Sequence, residues 1–322
     1  MYRKEKNQTR LKVLLDERKM EEIRSEYQKN KQFNNTSIRV ALFLWKNSFD
    51  YFCEEFFKHK KNEKFRKNKK VTNLMFQTIF QSDHMVGTDS TLQEFWGDVK
   101  NWDVSQVTDM SELFDGLSDF NEDISNWDVS QVTDMSGMFM NVESFNNDIS
   151  NWDVSNVTNM SAMFMDAKSF NNDISNWDVG KVTNMSYMFY FDCAPHSSPF
   201  NQDIGNWNVS NASNMTFMFF NCESFNHDIS KWDVSNVTNM RAMFQYACKF
   251  NCDIGKWNVN NVTNMSRMLR GANSFNQKLN NWCVSNVTEM SHMLYDTKCK
   301  SDEIEKWDIG KKAKELNQTI VF

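Results

Sequence analysis

The stretch Phe170-Asn171-Asn172-Asp173-Ile174-Ser175-Asn176-Trp177-Asp178-Val179 decides how the chain is read, because its pattern recurs along most of the length. Tryptophans 102, 127, 152, 177, 207, 232, 257, 282 and 307 stand 25 residues apart, with a single gap of 30 between Trp177 and Trp207. A fixed period of this size marks a repeat architecture in which each unit contacts only its neighbours. Valine follows each tryptophan by two positions from Val104 to Val284, with Ile309 closing the series, and an isoleucine such as Ile149 or Ile174 usually stands three positions before it. Ile-x-x-Trp-x-Val predicts a strand in which Trp and Val face the core and the residue between them faces solvent.

The second half of each unit has a different spacing. Val157, Met160, Met163, Phe164 and Ala167 recur at steps of mostly three or four residues, which predicts a short helical turn with Ser155 and Thr158 capping its first amides. Ser169-Phe170-Asn171 then turns the chain back, with Phe170 inward and Asn171 bonding local backbone. One such unit buries too little apolar surface to offset the entropy of ordering it, so units must stack and share their cores. The expected fold is an α/β repeat solenoid, leucine-rich-repeat-like, with a parallel strand on one face, a short helical turn on the other, and an α-helical N-terminal leader. Its divisions are a basic helical leader and linker at 1–70, a cap and first degenerate coil at 71–101, the repeats at 102–309, and a C-terminal cap at 310–322, where Lys312 and Glu315 replace the expected Val and Met.

In the leader, Leu11, Leu14, Leu15, Ile23 and Tyr27 outline one amphipathic helix. Leu42, Trp45, Phe49, Phe52 and Phe56 outline a second over 38–57, whose aromatic side calls for cover by the first helix, by the solenoid end or by a second copy of the chain. Charge is divided the same way. Residues 1–70 carry 20 Lys and Arg against 10 Asp and Glu, leaving 16 against 32 for the rest, so a head of about +10 precedes a body of about −16. The basic residues Lys58, Lys60, Lys61, Lys64, Arg66, Lys67, Lys69 and Lys70 form the densest charge run, suited either to a solvated linker or to a tether for nucleic acid or an anionic membrane surface. The start Met1-Tyr2-Arg3-Lys4-Glu5-Lys6 has no apolar run of a secretory signal and no lipobox cysteine, and the seven cysteines form no CxxC pair, which favours an intracellular, reducing location.

The unit Phe-Asn-x-Asp-Ile-Ser-x-Trp-Asp-Val-Ser-x-Val-Thr-x-Met-Ser-x-Met-Phe, as at Phe145 to Phe164, resembles the repeat of the BspA-type leucine-rich-repeat surface-protein family over about residues 75–309. The resemblance implies a leucine-rich-repeat-like solenoid acting in adhesion or protein interaction.

The residue after each tryptophan is the expected recognition face: Asp103, Asp128, Asp153, Asp178, Asn208, Asp233, Asn258 and Asp308, with Cys283 interrupting the series. Carboxylates stacked one strand apart repel, and a basic protein partner would relieve them; a solvated face is the plainer alternative. A second acidic column, Asp98, Asp123, Asp148, Asp173, Asp203, Asp228 and Asp253, is expected to hold backbone amides at the turn into the strand. The five residues that lengthen one unit arrive with Pro195-His196-Ser197-Ser198-Pro199, which is either a partner-contacting loop or a tolerated bulge. The Asn-Val-Thr sequons at Asn156, Asn236, Asn261 and Asn286 arise from the repeat itself. The histidines are scattered, and no spacing assembles a metal site, a cofactor site or a catalytic triad, so no cofactor and no enzyme activity are expected.

Overall fold

A computed structural model describes residues 100, 104–105, 107–192, 198–299 and 307. The expected leader, the basic run 58–70, the C-terminal cap, Asp98, Asp103 and Asp308 lie outside the described residues.

Successive units are laid side by side and joined backbone to backbone. Seven parallel bridges run through one column, from Asp109 to Asp134, Asn159, Asn184, Asn214, Asn239, Asn264 and Glu289. Beyond that column alternate amides keep reaching to the next coil. Met160 N–H donates to Asn184 O at 3.0 Å, Ala162 to Ser186 O at 2.8 Å, Phe164 to Met188 O at 2.9 Å and Asp166 to Tyr190 O at 2.8 Å. The carbonyls in between close turns within the coil, as in Met163 N–H to Met160 O, Met165 to Ala162 O and Ala167 to Phe164 O, at 3.1–3.3 Å.

This pattern corrects two expectations. No α-helix occurs among the described residues, and the bridging column stands seven residues after each tryptophan, not at the tryptophan. Met160 to Ala167 is a run of β-turns, and Met160 with Met163, and Phe164 with Ala167, are the first and fourth members of such turns. The same holds at Ile149 and Trp152, Val154 and Val157, and Ala167 and Phe170, each closed by the later residue's N–H on the earlier one's carbonyl. Turn ends three apart therefore imitate a helical stripe. In most coils the third residue of two turns has positive φ, for instance Ala162 at 55° and Asp166 at 56°, which a turn with a left-handed third residue requires.

The inward residues are those the periodicity points to. In the Trp152 coil, Ile149, Trp152, Val154, Val157, Met160, Met163, Phe164, Ala167 and Phe170 are all buried. Stacking converts each into a column. Trp152 and Trp177 lie 6.5 Å apart with planes 3° from parallel, while Phe164 and Phe170 stack at 3.7 Å within one coil. The column is tryptophan and not another large hydrophobe because the indole N–H has a fixed partner. Trp177 Nε1 donates to Ile149 O at 3.0 Å, Trp232 to Ile204 O at 3.1 Å and Trp282 to Ile254 O at 3.0 Å, each reaching one coil back.

Two polar columns reinforce the stack. Asn171 binds between coils and not to its own turn: it donates its N–H to Asn146 Oδ1 at 2.8 Å and accepts on its own Oδ1 from Asn201 N–H at 2.8 Å. Thr158 does not cap a helix; its N–H and its hydroxyl both donate to Thr133 O, at 2.8 and 3.1 Å. Where the period is 30, the bridge Asn184 to Asn214 is kept and Phe191 and Phe200 are buried, so the longer unit does not break the stack; residues 193–197 lie outside the described residues.

Trp177→Phe keeps a buried ring but removes one of the two donors to the Ile149 carbonyl, which retains the Trp152 N–H. We expect a loss of about 0.5–1.5 kcal/mol in chemical denaturation of the full chain. A midpoint and slope equal to those of the parent would show that the indole bond contributes nothing.

Candidate functional site

Most coils carry three side-chain oxygens that fold back on the chain two residues later. In the column after tryptophan, the expected recognition face, Asp128 Oδ1 accepts from Ser130 N–H at 3.1 Å, Asp153 from Ser155 at 3.1 Å, Asp178 from Gly180 at 3.0 Å and Asp233 from Ser235 at 3.0 Å. Asn208 and Asn258 do the same for Ser210 and Asn260 at 3.2 Å, and Cys283 Sγ lies 3.5 Å from Ser285 Oγ. Asp and Asn alternate here because the turn needs the oxygen and not the charge. These residues are exposed, so the column is both a turn-holding device and a charged stripe.

The second acidic column behaves as the sequence suggests. Asp148 and Asp173 accept from Ser150 and Ser175 N–H at 2.9 Å, and Asp203 and Asp253 accept from Gly205 and Gly255 at 3.0 Å. The third column is the bridging one itself, where Asp134 Oδ1 accepts from Ser136 N–H at 2.8 Å and Asn184 from Ser186 at 3.1 Å.

These bonds leave an electrostatic trace. The Ser125, Ser155, Ser230 and Ser235 hydroxyls, followed by the amides of the same serines, hold Asp123, Asp153, Asp228 and Asp233 below the usual carboxylate range. At Asp148 and Asp173 the serine amide leads and the hydroxyl follows. Asp173 and Asp123 repel the Asp148 charge, but less strongly than Ser150 stabilises it.

Other candidates resolve into structure. The sequon asparagines already use the nitrogen a glycan would take: Asn156 Nδ2 donates to Ser130 O at 2.8 Å, Asn236 to Ser210 O at 2.7 Å, Asn261 to Ser235 O at 2.7 Å and Asn286 to Asn260 O at 2.8 Å. Cys222 is buried, donates to Phe189 O at 3.1 Å and has its thiol pushed up to about 12 by desolvation, so it packs as a small apolar group. Among the described residues no three His, Cys, Asp or Glu are grouped as a metal site needs, and no helix is long and apolar enough to cross a membrane.

One surface was not foreseen. Many of the residues ten, thirteen and fourteen positions after tryptophan reach solvent at the turn corners, and there the sequence differs along the stack. From the Trp177 coil to the Trp282 coil they supply Tyr187, Tyr190, Phe217, Phe220, Tyr246 and Tyr295, together with Arg267, Arg270 and His292. Tyr246 and Tyr295 are exposed and the other rings are half-buried. The signal available in the sequence was variation between aligned units, which a search for constant columns passes over.

With this geometry in hand, comparison with known families gives a definite result. A family described as "Mycoplasma protein of unknown function, DUF285" matches residues 83–196 and again 191–307, together well over half of the chain. The chain belongs to this family. It is a repeat family, and the double match reflects the internal period. No curated protein and no solved structure matches the chain.

Because the six carboxyls named above titrate below their unfolded values of about 3.9, the stability they contribute is complete above that pH and is lost as pH falls through the depressed folded values. We expect the melting temperature to drop on acidification below about pH 4. Replacing Asp148, Asp173 and Asp228 with Asn keeps the accepting oxygen and blunts that drop. An acid profile identical in parent and triple variant would refute the assignment.

Proposed function

We propose that the chain is a non-enzymatic protein-interaction or adhesion module, a repeat solenoid of the BspA-like kind that presents side chains on a rigid frame. One observation carries this reading: the surface divides into columns that repeat because they hold the coils together and columns that vary along the stack. Thirteen residues after tryptophan the series reads Met140, Met165, Tyr190, Phe220, Gln245, Arg270 and Tyr295, whereas seven residues after it every member is Asp, Asn or Glu. Positions released from the fold on a regular scaffold are how stacked repeats read a partner. The aspartate stripe at Asp128, Asp153, Asp178 and Asp233 offers a second, anionic face for a basic protein.

A rival reading makes the basic run Lys58 to Lys70 a tether to nucleic acid or to an anionic membrane, with the repeats as spacer; the opposite charges of head and body favour it. The two are separated in the full chain by changing the eight basic residues of that run to Gln, and Asp128, Asp153, Asp178 and Asp233 to Asn, an exchange that keeps the turn oxygens. We expect recovery of a protein partner from the native cell extract to survive the glutamine change. Loss of all recovery with that variant, together with salt-sensitive binding of the parent to duplex DNA or anionic vesicles, would replace this reading with the tether. Unchanged recovery with the asparagine variant would remove the aspartate stripe as the contact face.

A further inference from the structure

The aromatic and arginine side chains at the turn corners form one connected strip. Tyr187 stacks on Phe217 at 4.9 Å, Tyr190 on Phe220 at 4.7 Å, and Phe220 meets Tyr246 edge-on at 5.6 Å. Arg270 continues it, its guanidinium 5.9 Å from the Tyr246 ring centre and 5.4 Å from that of Tyr295. Beside it, Arg241 lies 5.4 Å from the Phe217 ring centre. The strip thus crosses five consecutive coils.

Local backbone preference does not explain these residues. Tyr187, Phe217 and Tyr246 have φ of 60°, 58° and 62°, a region where bulky side chains are outliers, and other coils place Gly137, Ala162 or Asn141 at the equivalent corners. Tyr246 also depends on its neighbour: a Cβ on Gly271 would meet the Tyr246 ring at 2.4 Å, so glycine makes room for it. Two buried polar atoms in the strip lack partners. Gln245, only 4 % exposed, has an unpaired Oε1, and Arg270 has an unpaired Nε. Such atoms are costly to bury alone.

The chemistry of the occupant follows from which ring surfaces are free. Nucleobases and sugars bind aromatic platforms through open ring faces. Here the faces of Tyr187, Phe217, Tyr190 and Phe220 are turned toward one another, with planes 15° and 17° from parallel, and those of Tyr246 and Tyr295 look toward Arg270. What is left is an apolar strip of ring edges, flanked by Arg241, Arg267 and Arg270, none of which has a carboxylate partner among the described residues. That combination suits apolar side chains alternating with carboxylates.

We propose that this strip is a docking surface for an extended segment of another protein that carries both apolar and acidic side chains. The proposal rests on the interaction-module reading and adds the partner's chemistry to it. The probe is a short fluorescein-labelled peptide alternating Leu or Phe with Glu, titrated by anisotropy against the full chain, alongside its Lys-for-Glu analogue and a labelled oligo-dT. The acidic peptide is expected to bind, more weakly as salt rises, and Arg241→Glu with Arg267→Glu, both exposed, should weaken it by about tenfold or more. Tyr295→Ser, at the exposed end of the strip, should weaken it as well while the melting temperature stays at the parent value. Equal binding of the lysine analogue, preference for the oligonucleotide, or indifference to the arginine changes would overturn the proposal. If the full chain recovers a protein partner yet fails these titrations, the strip assignment falls and the interaction-module reading stands.

Discussion

Everything in this molecule depends on one constraint, that each coil must satisfy the backbone of the next. Alternate amides in the turn run point along the stack, and the amides between them close turns within the coil, so neighbouring residues alternate between bonding outward and bonding inward. Buried backbone cannot be left unpaired, and this alternation satisfies it without a regular helix or a long strand. The side-chain columns then follow as additions to the same lattice. Tryptophan supplies a second, long-reach donor for a carbonyl that already closes a turn, asparagine supplies an acceptor for the amide one coil on, and threonine doubles a bond the backbone already makes.

That constraint also explains how the surface is divided. A side chain whose oxygen or nitrogen completes the lattice cannot change without cost, and such side chains fill most of the polar positions. Asp153 and Asp173 look alike from solvent, and both are occupied by the amide two residues on. Many turn corners are free of these duties, and that is where Tyr190, Phe220 and Arg270 gather. The corner chemistry is therefore a choice made against local backbone preference, since a left-handed φ is easiest for glycine or asparagine.

Much of this was legible in the sequence. The inward positions follow from recurrence, because a column that is always Trp, Val or Met has to be core, and those residues are buried. The placement of the ladder was not legible. Val157, Met160 and Met163 are spaced as on a helix, and three-residue turns produce the same spacing, so periodicity alone does not separate them. The fixed identity of the tryptophan and asparagine columns was the missed clue, because a core that needed only bulk would have mixed in other residues. The aromatic strip escaped for the opposite reason: its residues do not repeat, and a pattern defined by repetition treats them as noise.

The long unit has a consequence for the history of the chain. Between Trp177 and Trp207 five residues were accommodated, and Asn184 still meets Asn214 as Asn159 meets Asn184. Each junction is made by the same atoms on both sides, so a duplicated or deleted coil presents its neighbours with the donors and acceptors they already fit. The array can therefore lengthen or shorten by whole units without a new kind of junction, and each added coil brings a corner free to diverge.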